Sequence, residues 1–260
     1  MANEPDLFHK THSRIVKGLL ENTSANDMLA ARIGVCLVVL FMFIHQMFDV
    51  SHVEVLQSGE CIRDYTFHWV AKQNEFLIKN KEVMRQLIVF SSFMIDFQHL
   101  MGLTIVCFVE NSSWRPIFSF MLTFPARQFV QNLVLLRRLD TWLWFDPGSP
   151  SLTVGFHDTN DFYFSGHIAS VILWGFEYHA LGYKWMNYFT VVNLIMQWIF
   201  LQTSHVHYFI DLYTGFVVPH AACILAEKMS YPIDVWCCGW SHQQRRLVNY
   251  NPCKSCGWSN

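Results

Sequence analysis

Charge is what this chain has least of. Lys, Arg, Asp and Glu make up 15% of its 260 residues, against roughly 25% in ordinary soluble domains. The few charges nearly cancel, to a net −2, so nothing suggests a nucleic-acid partner. The first 27 residues lack the short apolar core and small-residue cleavage site of a secretory signal, and the first long apolar run is expected to remain as an anchor. Internal repeats and low-complexity tracts are absent. Of the eight cysteines, Cys36, Cys107 and Cys223 fall in apolar runs, and Cys237, Cys238, Cys253 and Cys256 follow the last run. Only Cys61 lies in an outer loop, so no outer-loop disulfide within the chain is expected.

Apolar sequence, 52% of the whole, is what fills the gap. A helix crossing about 30 Å of hydrocarbon needs roughly 20 residues. Six segments meet that length: Met28 to Phe48, Leu87 to Val109, Pro116 to Leu136, Ser165 to Tyr183, Met186 to Ser204, and His207 to Ala226. The expected fold is an all-α integral membrane protein, a six-transmembrane-helix bundle over residues 28–230. Residues 1–27 form a cytosolic or interfacial segment, either an amphipathic helix or a loose tail, and residues 231–260 form a Cys-rich cytosolic tail. With a cytosolic N-terminus, ten basic residues lie inside or at the inner edge and seven outside, the direction of the positive-inside rule. Two outer loops stand out. In one, Asp49 to Gln86, the second half suits an interfacial helix. The other, Arg137 to Phe164, contains Asp146-Pro147-Gly148-Ser149-Pro150, a strong turn signal.

Two short strings carry chemistry: Asp161-Phe162-Tyr163-Phe164-Ser165-Gly166-His167 at the start of span four, and His205-Val206-His207-Tyr208-Phe209-Ile210-Asp211 at the start of span six. Spans four and six run in the same direction with span five between them, so both strings lie at one face of the membrane. His207 and Asp211 are four apart and would share a helical face. The carboxylate can hold one imidazole nitrogen and leave the other as a nucleophile. His167 can approach as the general acid, and two helix N-termini at one face favour a phosphate. Gly166 lets backbone approach that phosphate. A lone histidine in an apolar helix is ordinarily a satisfied core residue. Three groups in register at one depth, one of them a carboxylate costing roughly 2.5–3.5 kcal/mol to insert, favour function.

The string F-S-G-H followed about 40 residues later by H-Y-x-x-D resembles the sphingomyelin synthase group. That group includes ceramide phosphoethanolamine synthases and phosphatidylcholine:diacylglycerol cholinephosphotransferases, within the type 2 phosphatidic acid phosphatase superfamily. The resemblance spans Pro116 to Lys228. It implies a six-helix fold with an exoplasmic site and head-group exchange through a phosphohistidine. His207 would be the nucleophile, Asp211 its orienting carboxylate and His167 the acid and base. Asp161, Ser165, Gly166 and Tyr208 would line the substrate, and Arg137, ten positions before Pro147, could clamp its phosphate. Implied partners are phosphatidylcholine or phosphatidylethanolamine as donor and ceramide or diacylglycerol as acceptor, with no metal or cofactor. A homo-oligomer or a membrane complex is compatible with this. The implied compartment is the endoplasmic reticulum or Golgi; a mitochondrial or other membrane stays open. The threonine-rich run ending in Leu-Pro-x-Pro is replaced by Trp144-Phe145-Asp146-Pro147, and the phosphatase branch's K-x6-R-P is missing. A lipid phosphate phosphatase and a non-catalytic membrane or lipid-binding subunit are the rival readings.

Other residues invite bland readings. Asp96 and His99 suit structural pairing or a cavity wall. Arg127, inside span three, must find a partner or snorkel. Glu177, His179, Asn193 and Gln197 suit hydrogen bonds between helices. His205 with His207 could bind metal but lacks a third ligand. In the tail, Cys237, Cys238, His242, Cys253 and Cys256 offer a tetrahedral zinc set, with acylation of Cys237 and Cys238 or free thiols as alternatives.

Overall fold

The computed structural model describes residues 64–108, 113–134, 136, 138–156 and 162–234, together with Ile33, Gly34 and Leu37. Among them the structure is all helical: α1 (Phe67–Lys79), α2 (Lys81–Phe108), α3 (Arg115–Leu133), α4 (Gly166–Ala180), α5 (Lys184–Thr203) and α6 (Phe209–Pro232). Two helices, over Lys81–Val106 and Phe209–Tyr231, are long and apolar enough to cross a membrane. They correspond to the second and sixth expected spans. The third and fifth expected spans are the helices α3 and α5, diluted by Arg and Gln in one and by Asn and Gln in the other. The fourth is shorter than expected, since α4 has 15 residues. The helix anticipated in the second half of the first outer loop is α1. The first expected span, apart from the three helical positions above, the segment 1–27 and the tail beyond Asp234 fall outside the described residues.

Chain reversal is set by backbone chemistry at two points. After α4, Gly182 takes a left-handed φ of 76°, Gly182 N–H donates to His179 O, and Tyr183 N–H donates to Tyr178 O. This is the Schellman ending, and glycine fits it without steric cost. After α5 the same pair of bonds recurs, His205 N–H to Gln202 O and Val206 N–H to Leu201 O. Here the left-handed position is held by His205, at φ 56°, a residue that adopts it only at some cost.

Helix α4 is the hub, packing against α2, α3, α5 and α6. Its Ile168, Ala169, Val171 and Trp174 are buried. A polar seam joins α2, α4 and α5: Gln98 Nε2 donates to Val171 O and Thr190 Oγ1, Asn193 Nδ2 donates to Gln98 Oε1, and Gln197 Nε2 donates to Ser91 O. Asn193 and Gln197 thus make the helix–helix bonds their sequence position suggested, whereas His179 is exposed. Large apolar side chains point outward instead, among them Phe90 and Phe93 on α2, Val191, Val192, Ile195 and Ile199 on α5, and Phe216 and Val217 on α6.

At the end of the bundle remote from His167, Arg115 is buried between two carboxylates. Its Nη2 lies 2.7 Å from Glu177 Oε2 and its Nη1 lies 3.0 Å from Glu227 Oε2. Glu177, expected to hydrogen-bond between helices, does so as the acceptor in an ion pair tying α3 to α4. Removing one partner of such a pair strands the other charge. Arg115→Met is expected to destabilise the protein by about 3–5 kcal/mol, measured by denaturant unfolding in detergent. Arg115→Met with Glu177→Gln should recover part of that loss. Equal unfolding of wild type and Arg115→Met would show that the clamp contributes nothing.

Candidate functional site

The N-terminus of α6 is organised by Asp211. Its side chain has no exposed surface, so the carboxylate needs hydrogen-bond donors around it. Tyr163 N–H donates to Oδ1 at 2.7 Å, Tyr208 N–H donates to Oδ2 at 2.9 Å, and His207 Nδ1 lies 3.3 Å from Oδ2. His207 is thus held by Asp211, but not by sharing a helical face. It precedes the helix, whose N-cap is Tyr208 and whose third residue is Asp211. The spacing of four works because a carboxylate at that position reaches back over the helix start, the geometry of one half of a capping box. With Nδ1 on the carboxylate, Nε2 is the ring nitrogen left facing away from it.

The second histidine arrives on α4. Ser165 caps that helix, its Oγ accepting from Ile168 N–H at 3.5 Å, and His167 is the second helical residue. Ser165 N–H donates to Asp211 O at 3.1 Å, which brings the starts of α4 and α6 side by side. A Cβ on Gly215 would stand 2.7 Å from Ser165 O, so only glycine allows this approach. The rings of His167 and His207 are 6.2 Å apart between centroids. Both Nε2 atoms are buried and have no hydrogen-bond partner among the described residues. Two unpartnered imidazole nitrogens at one spot form a polar gap of the kind that needs explaining.

A cation joins the site from α3. Arg127, on α3, donates from Nε to Phe164 O at 3.1 Å. A Cβ on Gly166 would stand 3.2 Å from that Nε and 3.5 Å from Nη2. The absence of a side chain at Gly166 therefore makes room for a guanidinium beside His167. The anticipated clamp, Arg137, and the anticipated lining residue Asp161 lie outside the described residues. Ser165 uses its hydroxyl to cap α4, and the Tyr208 ring packs between Phe67 and Phe162, with centroids 5.7 Å away on each side. The one sequence cue for Arg127 was its cost, since a charge inside an apolar helix is expensive and marks function or a paired partner.

The remaining wall is a folded loop. Trp144 Nε1 donates to Gly155 O at 3.1 Å, and the turn at Asp146 forms as its sequence suggested, Gly148 N–H donating to Asp146 Oδ1 at 2.8 Å. The Trp144 ring meets His167 edge-on at 5.5 Å. Asp96 and His99, for which structural contacts were the expected reading, turn to different neighbours. Asp96 bonds to this loop, while His99 faces the rings of Phe120 and Trp174. Among the described residues no cluster of three or more His, Cys, Asp or Glu could hold a metal ion. The tail cysteines and His242 lie outside those residues. No family model, no curated protein and no solved structure matches this chain.

His205 borders the site and has its own pH signature. Its Nδ1 shares a 2.6 Å hydrogen bond with Thr141 Oγ1, and its ring packs on Phe67. Burial pushes its pKa down to about 4, against an upward pull from Asp64. The free imidazole titrates near about 6.5, so below that value protons favour the unfolded chain. The stability owed to neutral His205 is complete above about pH 6.5 and is lost as pH falls through about 4. Asn tolerates the left-handed backbone and does not titrate. His205→Asn should therefore flatten the decline in unfolding free energy over this range, and an unchanged decline would show that His205 does not carry it.

Proposed function

We propose that this protein is a membrane phosphotransferase that moves phosphocholine or phosphoethanolamine from a glycerophospholipid to ceramide or diacylglycerol through a phosphohistidine. The observation that carries this reading is the meeting of two unpartnered imidazole nitrogens with the Arg127 guanidinium at the paired starts of α4 and α6. A phosphate placed there would face one nucleophile, one proton carrier and one cation. The bilayer setting is supported by the inverted surface, with Gln98, Asn193 and Gln197 inside and Phe, Val and Ile outside. An exposed apolar surface on that scale is foreign to soluble monomers. The remaining helices would then complete a multi-pass bundle, and the membrane of the endoplasmic reticulum or Golgi is the compartment this activity suggests.

In the first half-reaction the Nε2 lone pair of His207 attacks phosphorus. Asp211 holds the Nδ1 proton and balances the charge that grows on the ring. The bond from phosphorus to the diacylglycerol oxygen breaks as protonated His167 gives that oxygen its proton. Arg127 steadies the charge on the phosphoryl oxygens, a role suited to a desolvated guanidinium. In the second half-reaction neutral His167 takes the proton of the acceptor hydroxyl. The acceptor oxygen bonds to phosphorus, and the bond between phosphorus and His207 breaks. The same site with water as acceptor would be a lipid phosphate phosphatase. Arg127 favours keeping that second reading, because it supplies a basic group where the K-x6-R-P motif is missing.

Purified full-length protein in nanodiscs, given head-group-labelled phosphatidylcholine or phosphatidylethanolamine with ceramide and diacylglycerol, should form a new labelled phospholipid. Release of inorganic phosphate from phosphatidic acid would select the phosphatase instead. His207→Ala should abolish turnover, and Arg127→Met should lower it by about 10²–10³-fold. Quenching in alkaline denaturant, in which a phosphohistidine survives, should trap label on wild-type protein and none on His207→Ala. Neither product from wild type would end the enzymatic reading in favour of a non-catalytic lipid-binding subunit.

A further inference from the structure

We propose that Asp96 is a positioning residue for His167, acting through the loop that carries Trp144. This rests on the reading of His167 as the acid that protonates the leaving oxygen. Asp96 lies well inside α2, with Lys81 and Phe108 as the helix ends. No cation is bonded to it among the described residues; instead it takes three bonds from one stretch of loop. Leu152 N–H donates to Oδ2 at 2.9 Å, Thr153 N–H donates to Oδ1 at 3.0 Å, and Thr153 Oγ1 donates to Oδ1 at 2.7 Å. Irregular backbone survives within a helical membrane bundle only where its polar groups are satisfied by protein. The carboxylate does this for the far limb of the loop. Ser151 Oγ does so next to it, accepting from Val154 N–H at 3.0 Å.

The near limb is held on the other side, where Leu143 N–H donates to Ser204 O at 2.9 Å. The bond from Trp144 Nε1 to Gly155 O then closes the loop on itself. Asp96 and Ser204 are therefore the two posts between which Trp144 hangs. Its ring is buried, touching Phe156 and Phe200 as well as the edge of His167. Among the described residues no hydrogen bond reaches the His167 ring, and its packing against Trp144 sets its orientation. A loosened loop would leave His207 bound to Asp211 while His167 turned freely. Loss of Asp96 should thus impair proton delivery and spare nucleophilic attack.

Leaving-group chemistry separates those two steps. Full-length protein in nanodiscs would be assayed with phosphatidylcholine, whose alkoxide needs a proton to depart, and with 4-nitrophenyl phosphorylcholine, whose nitrophenolate does not. For Asp96→Asn and Trp144→Leu the expected loss is about 10-fold or more with phosphatidylcholine and less than about threefold with the nitrophenyl ester. The conservative Trp144→Phe should restore most of the phosphatidylcholine activity. Equal losses with both donors would mean that Asp96 serves the fold alone, and the proposal is overturned. Should Asp96→Asn fail to fold, Thr153→Val removes one of the three bonds and carries the same comparison. His207→Ala is the separate control: if it keeps turnover of both donors, the histidine mechanism itself has failed, whatever Asp96 does.

Discussion

A carboxylate without solvent must be surrounded by hydrogen-bond donors, and Asp211 meets that demand by drawing three pieces of chain to one point. Tyr163 comes from the segment before α4, Tyr208 is the cap of its own helix, and His207 is the last side chain of the α5–α6 connection. Satisfying this one charge sets the relative position of two helix starts. It also holds Tyr163 at φ 74°, a left-handed conformation that a tyrosine rarely adopts. Strain of this kind persists where the surroundings over-determine it, and it gathers at functional sites. Tyr163 and His205 flank the two histidines on either side.

The rest of the bundle keeps that arrangement in place by putting its polar groups inside. Apolar packing alone is weakly directional, particularly where the surroundings are as apolar as the helices. The Gln98–Asn193–Gln197 seam fixes how far α2 and α5 slide against α4, and the Arg115 clamp fixes α3 and α6 at the opposite end. Helix α1 packs against α5 and α2 beside the site. Its Asn74 Nδ2 donates to Thr141 O and Thr203 O, and Asp64, just before it, accepts from Phe209 N–H at the start of α6. The unpaired donors at that helix start are thereby partly answered from a distant part of the chain.

Much of the site was legible because its logic is topological. Two motifs separated by one hairpin have to return to the same end of a bundle, and Ser165, Gly166, His167, His207 and Asp211 did so. The grip of Asp211 on His207 was also legible, although the reason differs, since a spacing of four suits both a shared helical face and a carboxylate reaching back over a helix start. Arg127 was visible only as an expense. Arg137 drew attention through its distance from a proline, and it lies outside the described residues. Asp96 was read with His99 because they are one turn apart, and their side chains serve different neighbours.

The sequence by itself determined what is local or periodic: helices where apolar residues run long, a turn at Asp146-Pro147-Gly148, and two histidines and an aspartate brought to one end of the bundle. Tertiary structure alone decided which cation meets the histidines, which carboxylate anchors the loop and which ring holds His167. Those pairings join residues whose separation in sequence carries no period, and each depends on a close approach that glycine permits or on a buried charge that must be answered. Such demands are settled when the whole chain packs, by whichever partner is near enough to satisfy them.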